Sequence, residues 1–268
     1  MLQDGPVDAT WTTQPPTDQQ QQQHWTTAFF AEDYLRIFGP FVEGARADEE
    51  SARVQDLLGC APGARVLDLA CGQGRHAAPL RRAGLDVVGL DLSEVLLRAA
   101  RRREDRLPLV RADMRRLPLA TATFDGVVNL FNAFGYFPDD ESDVEVLREV
   151  ARVLRPGGTF VQEVHHRDAL VLGWEERTTH PTYDDGLVVT EERVWDSVQG
   201  RHRVRYLLSS DGGEPRVLDH ELRVYTITEL VDMHRRAGLQ VQAVHGDLAG
   251  APATPRTPLA VLVSTAAG

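Results

Sequence analysis

The sequence contains no lysine, and all 29 of its basic residues are arginine. Because arginine stays protonated, this excludes Schiff-base chemistry, a lysine general base and a P-loop lysine. Cysteine is scarce as well. Cys60 and Cys71 are the only two, and neither has a paired C-x-x-C spacing, so we expect no structural zinc site and no other metal site. We interpret Cys71, inside a glycine turn, as a packing residue.

Long apolar runs and an excess of positive charge are also missing. No stretch approaches the roughly 20 apolar residues of a membrane helix. The first residues (MLQDGPVDAT) lack the basic start and apolar region of a secretory signal. The formal net charge of −11 disfavours nucleic acid as a partner. We therefore expect a cytoplasmic protein that binds neither nucleic acid nor membranes; a homodimer is left open.

The N-terminal residues divide into a tail and a helical cover. Residues 1–24 are rich in Gln, Thr and Pro, with five consecutive glutamines, and are predicted to be a disordered tail. Large side chains then recur at helical spacing at Trp25, Phe29, Phe30, Tyr34, Leu35 and Phe38. This aromatic helix and a second helix over 48–58 predict a helical cover over residues 25–62.

Strand and helix patterns alternate from residue 63 onward. Strands are predicted over 65–69, 86–90, 107–111, 124–130 and 159–164, and helices over 77–83, after Ser93 and over 143–154. Repeated strand–helix units predict a parallel, doubly wound sheet. A further helix over 228–237 and strands near 240–245 and 259–264 bring the predicted sheet to seven strands.

Between the fifth strand and the helix over 228–237, the pattern changes to one typical of antiparallel strands. Runs over 187–195, 201–209 and 216–225 are joined by short turns and predict an inserted, three-stranded antiparallel lid over 169–225. The expected fold class is thus α/β. It has a Rossmann-like, doubly wound, mostly parallel seven-stranded sheet (63–168 and 226–268), a helical N-terminal cover and the inserted lid.

A glycine turn in VLDLACGQGRHA (66–77) links the first strand to a helix. The segment 72–77 fits G-x-G-x-x-[GA], a pattern that dinucleotide enzymes also use. Asp91 ends the second strand, where its carboxylate can accept hydrogen bonds from both ribose hydroxyls. Asp113 and Met114 follow the third strand, where a carboxylate and a backbone N–H suit the exocyclic amine and a ring nitrogen of adenine. The pattern predicts a nucleotide cofactor at this edge of the sheet.

Five stretches in this order resemble the class I S-adenosylmethionine-dependent methyltransferases. They are VLDLACGQG (66–74), VVGLDLS (87–93), RADMRRLP (111–118), FDGVVNLFNAFGYF (124–137) and LREVARVLRPGGTFV (147–161). The resemblance covers residues 25–268. The aromatic helix, the inserted sheet and HELRVYTITEL (220–230) are similar to a bacterial small-molecule group of that class. The order of these motifs disfavours a nicotinamide-dependent oxidoreductase.

The resemblance implies S-adenosylmethionine as cofactor. The backbone N–H groups of the turn suit its anionic methionyl carboxylate. Asp68 orients the turn or the ammonium, or else caps nearby N–H groups; Tyr34 covers the cofactor or packs in the core. The cofactor-binding residues it implies are Ala70, Gly72 and Gly74 (methionyl), Asp91 (ribose), Asp113 and Met114 (adenine) and Leu130 (ribose and sulfur), together with Tyr34, Asp68 and Leu92.

Methyl transfer mainly requires alignment and exclusion of water, with a base only where the acceptor arrives protonated. His165 and His166 follow the fifth strand at the sheet edge facing the methyl group, so one of them can deprotonate a hydroxyl, an amine or an acidic carbon. The alternative is a surface pair or a strand-end hydrogen bond. Strand alternation indicates that one of the two points into the pocket. The catalytic candidates are His165, His166 and Tyr34.

The methyl acceptor is expected to be a small molecule, because a lid and an aromatic helix suggest a closed pocket. Phe131, Phe134 and Tyr136 are candidates for an apolar wall, and Arg223 and Tyr225 for polar contacts, with a solvated strand face as the alternative for Arg223. We interpret His180, His202 and His220 as surface groups. We expect N- or O-methylation in specialised metabolism; the alternatives are C-methylation of a small aromatic or isoprenoid acceptor and a non-catalytic S-adenosylmethionine-binding protein.

Overall fold

The computed structural model describes residues 29–42, 44–180, 186–210 and 214–267. The predicted tail and residues 25–28 of the predicted cover lie outside these ranges. Within the described residues, two helices precede the first strand and form the cover, α1 (Glu32–Val42) and α2 (Ala45–Leu58). No helix of the described residues is long and apolar enough to span a membrane.

The central sheet has seven strands, as predicted. They are β1 (Arg65–Leu69), β2 (Asp86–Asp91), β3 (Leu109–Arg111), β4 (Phe124–Asn129), β5 (Leu154–His165), β10 (Leu239–His245) and β11 (Leu259–Ala266). Their order across the sheet is β3-β2-β1-β4-β5-β11-β10. Only β11 is antiparallel to its neighbours. The order reverses direction between β1 and β4, which is where doubly wound sheets bind ligands. The helices that accompany these strands are α3 (Ala77–Arg82), α4 (Glu94–Arg103), α5 (Asp140–Val153), α6 (Arg167–Leu172) and α7 (Ile227–Arg236).

The core of the sheet is apolar on both faces, which explains why its strands read as almost continuous hydrophobic runs. One face packs against α5 and α7, and the other against α2 and α3. Helix α5 begins three residues earlier than predicted, because the Asp139 side chain accepts a hydrogen bond from the Ser142 N–H (2.8 Å) and caps it.

The lid has four strands in the described residues, not the three predicted. Its order is β6-β7-β8-β9, with β6 (Arg177–Thr179), β7 (Val188–Asp196), β8 (Arg201–Ser209) and β9 (Arg216–Arg223). The prediction missed β6 because three residues are too short for an alternating pattern, and its pairing with β7 fixes it instead. The inner face of the lid packs on Phe29 and Ile37, so the cover rests against it.

The end of the lid is joined at Gly135 to the loop that follows β4. The Arg223 N–H donates to the Gly135 carbonyl (2.7 Å), and the Val224 N–H donates to Gly200 (2.9 Å). Gly135 has φ of 94°, and a β-carbon there would collide with the Arg223 carbonyl oxygen. Glycine is therefore required for this close approach of two backbones.

Candidate active site

A cavity of about 780 Å³ is lined by the carboxyl edge of the sheet, the cover and the inner face of the lid. Its volume falls within the roughly 300–1,000 Å³ of small-molecule sites. One part of the lining, here the turn part, comes from the glycine turn and the residues that follow β2 and β3. Another, the lid part, comes from β7, β8 and β9 and the end of β5.

Three alternate residues of the glycine turn have positive φ angles, in the left-handed region. Ala70 has φ of 60°, Gly72 of 55° and Gly74 of 71°. Ala70 and Gly72 line the cavity as predicted, but Gly74 does not. A β-carbon on Gly74 would lie 3.2 Å from the Ala100 β-carbon. Gly74 therefore permits close packing of the turn on α4, and the expected direct cofactor contact at this glycine needs correction.

Asp91 connects the glycine turn to β2. Its Oδ2 accepts from the Gly72 N–H (2.9 Å) and its Oδ1 from the Ser93 N–H (2.8 Å). It is buried, and burial raises its pKa. Each oxygen has a further lone pair, so the carboxylate can organise the turn and still accept from a ligand. Asp91 and Leu92 both line the cavity, where they were predicted to lie.

Asp68 carries a buried carboxylate oxygen without a partner. Its side chain lines the cavity, and Oδ2 has no hydrogen-bond partner among the described residues. Burial raises the pKa of Asp68 to about 7, opposed by the Arg75 charge and assisted by that of Asp91. An unpaired buried acceptor fits a ligand with a cationic donor, such as the ammonium of S-adenosylmethionine.

The residues after β3 and β4 complete the turn part of the cavity. Asp113 and Met114 line it, and Leu130 is buried against it. Arg115 donates to both oxygens of Asp113, with Nη2 2.7 Å from Oδ2. Burial raises the pKa of Asp113, but the hydrogen bonds from Arg115 outweigh this and lower it. The carboxylate is thus ionised, with part of its accepting capacity already used.

An ionic cluster that was not predicted joins the cover to the turn. Glu50 on α2 accepts from Arg75 Nη1 at 2.5 Å, and His76 Nε2 lies 3.3 Å from the same oxygen. Burial raises the pKa of Glu50, but hydrogen bonds from His76 and the arginines hold it well below its usual range. The Arg75 guanidinium also lies 4.5 Å from the Phe131 ring. The sequence shows no signal for Glu50, because the partners are 25 residues apart.

The two histidines after β5 separate as alternation predicts. His165 lines the cavity, whereas His166 is buried outside it with Nδ1 3.1 Å from the Thr257 carbonyl. The prediction of a catalytic His166 is therefore wrong, since its ring is held by the chain that leads into β11. Burial, assisted by the charge of Arg193 and opposed by that of Glu191, lowers the pKa of His165 to about 4. His165 is neutral at neutral pH.

Three of the predicted acceptor contacts lie outside the cavity lining. Phe134 is buried in the core, its ring centroid 5.8 Å from that of Tyr225. The Tyr225 hydroxyl donates to Asp143 (2.7 Å), and Arg223 pairs with Glu229 (2.6 Å). The backbone bond to Gly135 brings this end of the lid onto the sheet, away from the cavity. Phe131, Tyr136 and Tyr34 do line the cavity.

His202 and His220 face the cavity, so their interpretation as surface groups is wrong. His202 is 8% exposed, and both its ring nitrogens lack a partner among the described residues. On β8, His202 precedes buried Val204, Tyr206 and Leu208 on one face. This alternation is visible in the sequence and is the signal that could have found it. The described residues include no group of three or more His, Cys, Asp or Glu side chains that could hold a metal ion.

Comparisons with known proteins agree with this geometry. A family model described as a methyltransferase domain matches residues 66–158. The chain is 32% identical over 200 residues to a cypemycin N-terminal methyltransferase of a Streptomyces species, covering 73% of this chain and 80% of that protein. It is 28% identical over 229 residues to the dTDP-3-amino-3,4,6-trideoxy-alpha-D-glucopyranose N,N-dimethyltransferase of Streptomyces venezuelae, covering 81% and 94%.

A solved structure is similar over most of the fold. The CcbJ methyltransferase of Streptomyces caelestis superposes with a TM-score of 0.75 at 25% identity, covering 84% of this chain and 91% of that one. Another match covers less of the relative: the chain spans 42% of the length of the demethylmenaquinone methyltransferase of Beutenbergia cavernae. The chain belongs to the class I S-adenosylmethionine-dependent methyltransferases. Its cofactor is accordingly S-adenosylmethionine.

Proposed function

We propose that this protein transfers a methyl group from S-adenosylmethionine to a nitrogen or oxygen of a small-molecule acceptor. One observation carries the proposal: the residues of the cofactor motifs and the inner face of the lid line the same cavity. Two relatives support it, since their names describe N,N-dimethylation of a dTDP-linked amino sugar and N-terminal methylation of cypemycin. The enclosed shape favours a small acceptor over a macromolecule.

The turn part of the cavity is where we place the cofactor, which supplies a methyl group already activated on a sulfonium. Asp91 would accept from the ribose, and Asp68 would face the ammonium. Asp113 and Met114 would contact the adenine, beside Leu130. The chain's contribution is then to fix the direction of attack and to keep water out.

His165 is the proposed proton acceptor, because it lines the cavity and its neutral imidazole has a free electron pair. Tyr34 is less suited to that role. Burial raises the pKa of its phenol, so it stays protonated. Its ring lies 4.8 Å from that of Phe38 and 5.2 Å from that of Phe30, between centroids, which suits a covering residue.

The test is calorimetric titration of S-adenosylhomocysteine into the wild type, Asp91→Ala and the exposed control Asp219→Ala. We expect the Asp91 variant to bind about 10- to 100-fold more weakly, as the loss of a charge-assisted hydrogen bond implies, and the control to be unchanged. Circular dichroism verifies that both variants fold. Equal affinity in all three proteins would contradict the cofactor site. If binding is seen, an acceptor screen with labelled methyl groups tests transfer.

A further inference from the structure

The lid places two histidines on its inner face that no role above explains. His202 is on β8 and His220 on β9, and the register pairs His202 with Leu222 and Val204 with His220. They are diagonal neighbours on one face, a spacing of about 7–8 Å between α-carbons. His165 belongs to the same group, because it lines the same cavity at the end of β5. The lid part of the cavity therefore contains three imidazoles.

These imidazoles leave buried nitrogen atoms without partners. Both ring nitrogens of His202 and Nδ1 of His220 have no hydrogen bond among the described residues, although both residues line the cavity. Buried polar atoms are normally satisfied, so three such atoms on one wall indicate a ligand that supplies the missing bonds. A neutral imidazole has one donor and one acceptor nitrogen. A matching ligand must therefore both donate and accept.

The charges around the lid part do not suit a cation. Two carboxylates line it together with the Arg193 cation. Glu191 is hydrogen-bonded to His180 (2.6 Å) and Arg193 (2.9 Å), and Glu163 accepts from the Phe131 N–H (2.8 Å). Burial lowers the pKa of His202 and of His220 to about 3, so both rings are neutral at neutral pH. A protonated amine would lose its hydration here for little electrostatic gain, because Arg193, itself in the lining, already offsets the charge of Glu191. A hydroxyl group donates and accepts without carrying charge.

Aromatic rings flank the same imidazoles. The centroid of the Phe29 ring is 4.6 Å from that of His220, and the Trp174 ring is 5.5 Å from that of His202. The Tyr206 ring lies 5.6 Å from that of His220. Flat apolar faces next to polar nitrogens suit a ring-shaped ligand that bears hydroxyl groups.

We propose, on the basis of the function proposed above, that the acceptor is an uncharged, hydroxyl-bearing ring compound whose hydroxyl is positioned by His202 and His220. In the transfer, the acceptor oxygen forms a bond to the methyl carbon as the methyl–sulfur bond breaks and its electron pair stays on sulfur. The hydroxyl proton passes to a ring nitrogen of His165 and leaves to water with the product. His202 and His220 are positioning residues in this scheme.

The experiment compares two probes that differ in one group, benzyl alcohol and benzylamine, which is a cation at pH 7. Each is titrated into protein saturated with S-adenosylhomocysteine, and binding is followed by calorimetry and by the ¹⁵N signals of the imidazoles. The variants are His202→Phe and His220→Phe, which keep a ring but remove the nitrogens. His245→Phe, outside the cavity lining, is the matched control.

We expect benzyl alcohol to bind at least about tenfold more tightly than benzylamine and to shift the imidazole signals of the lid. Each lid variant should reduce this preference while binding S-adenosylhomocysteine as the wild type does, and His245→Phe should behave as the wild type. Tighter binding of benzylamine, no binding of either probe, or an equal loss in the control would overturn the proposal. Failure of the wild type to bind S-adenosylhomocysteine would instead overturn the proposed function.

Discussion

Replacing Asp68 by Asn should stabilise the protein while weakening cofactor binding. The carboxyl is 2% exposed, its Oδ2 has no partner, and its pKa is raised from 3.8 to about 7, mainly by burial. Asparagine keeps an acceptor for the Ala77 N–H, which bonds the carboxyl in the wild type, and carries no charge at any pH. The substitution therefore removes a charge that the fold disfavours and keeps the shape of the side chain.

The magnitude follows from the shift in pKa. At 1.36 kcal/mol per unit, a rise from 3.8 to about 7 costs the folded wild type about 4 kcal/mol at pH 7. Because the folded pKa is the higher one, the contribution of this group to stability is greatest below pH 3.8. It is lost as the pH rises from there to about 7. The advantage of Asp68→Asn should thus grow across this window and level off above it.

Urea unfolding of the wild type and Asp68→Asn at several pH values between 5 and 8 measures the difference. Asp56→Asn, exposed on α2, is the control and should change stability by less than about 0.5 kcal/mol. Calorimetry at pH 7 should show weaker binding of S-adenosylhomocysteine to Asp68→Asn. A stability gain that does not vary with pH, or a loss at pH 7, would refute the reasoning.

Two further predictions concern the junction between lid and sheet. Gly135→Ala should lower the free energy of unfolding by about 3 kcal/mol or more, because a positive φ and a collision with the Arg223 carbonyl act together. The control is Gly84→Ala, where φ is 95° and nothing lies within 4 Å of the added carbon. It should lower the free energy of unfolding by only about 1–2 kcal/mol. Tyr225→Phe should cost about 1–3 kcal/mol, because buried Asp143 loses its 2.7 Å hydrogen bond, with affinity for S-adenosylhomocysteine unchanged.

Urea unfolding measures both effects, and calorimetry measures the affinity. Equal losses in the two glycine variants would show that the collision at Gly135 is relieved by movement. A changed affinity in Tyr225→Phe would mean that this hydroxyl acts on the cavity after all.

The positions of the sheet strands along the chain, and the glycine turn, could be predicted because each has a local signal. Strands of a buried parallel sheet are short and apolar, and the turn requires small residues at set positions. The choice between His165 and His166 could not be made from sequence. Both faces of β5 are covered, so burial along the strand does not show which side faces a ligand.

The environment of the lid side chains is less predictable from sequence. His202 lies between Arg201 and Arg203, and a run of polar residues resembles a solvated strand. Both arginines are in fact nearly buried and pair with Glu221 on the neighbouring strand. That pairing depends on the register between β8 and β9, and a short stretch of sequence gives no information on the register of two strands. Contacts such as Glu50 with Arg75 were missed for the same reason.

The junction at Gly135 allows substitutions in the lid to have different consequences from substitutions in the cofactor motifs. Apart from Tyr34, the residues proposed to hold the cofactor lie in 68–130, whereas His202 and His220 of the lid lie much later in the chain. Two backbone hydrogen bonds tie the end of the lid to the loop after β4 and to the turn before β8. Because these bonds use backbone atoms, they persist when lid side chains change. Substitutions on the inner face of β8 and β9 can therefore alter which molecules are methylated while the apparatus that holds the methyl donor is inherited intact.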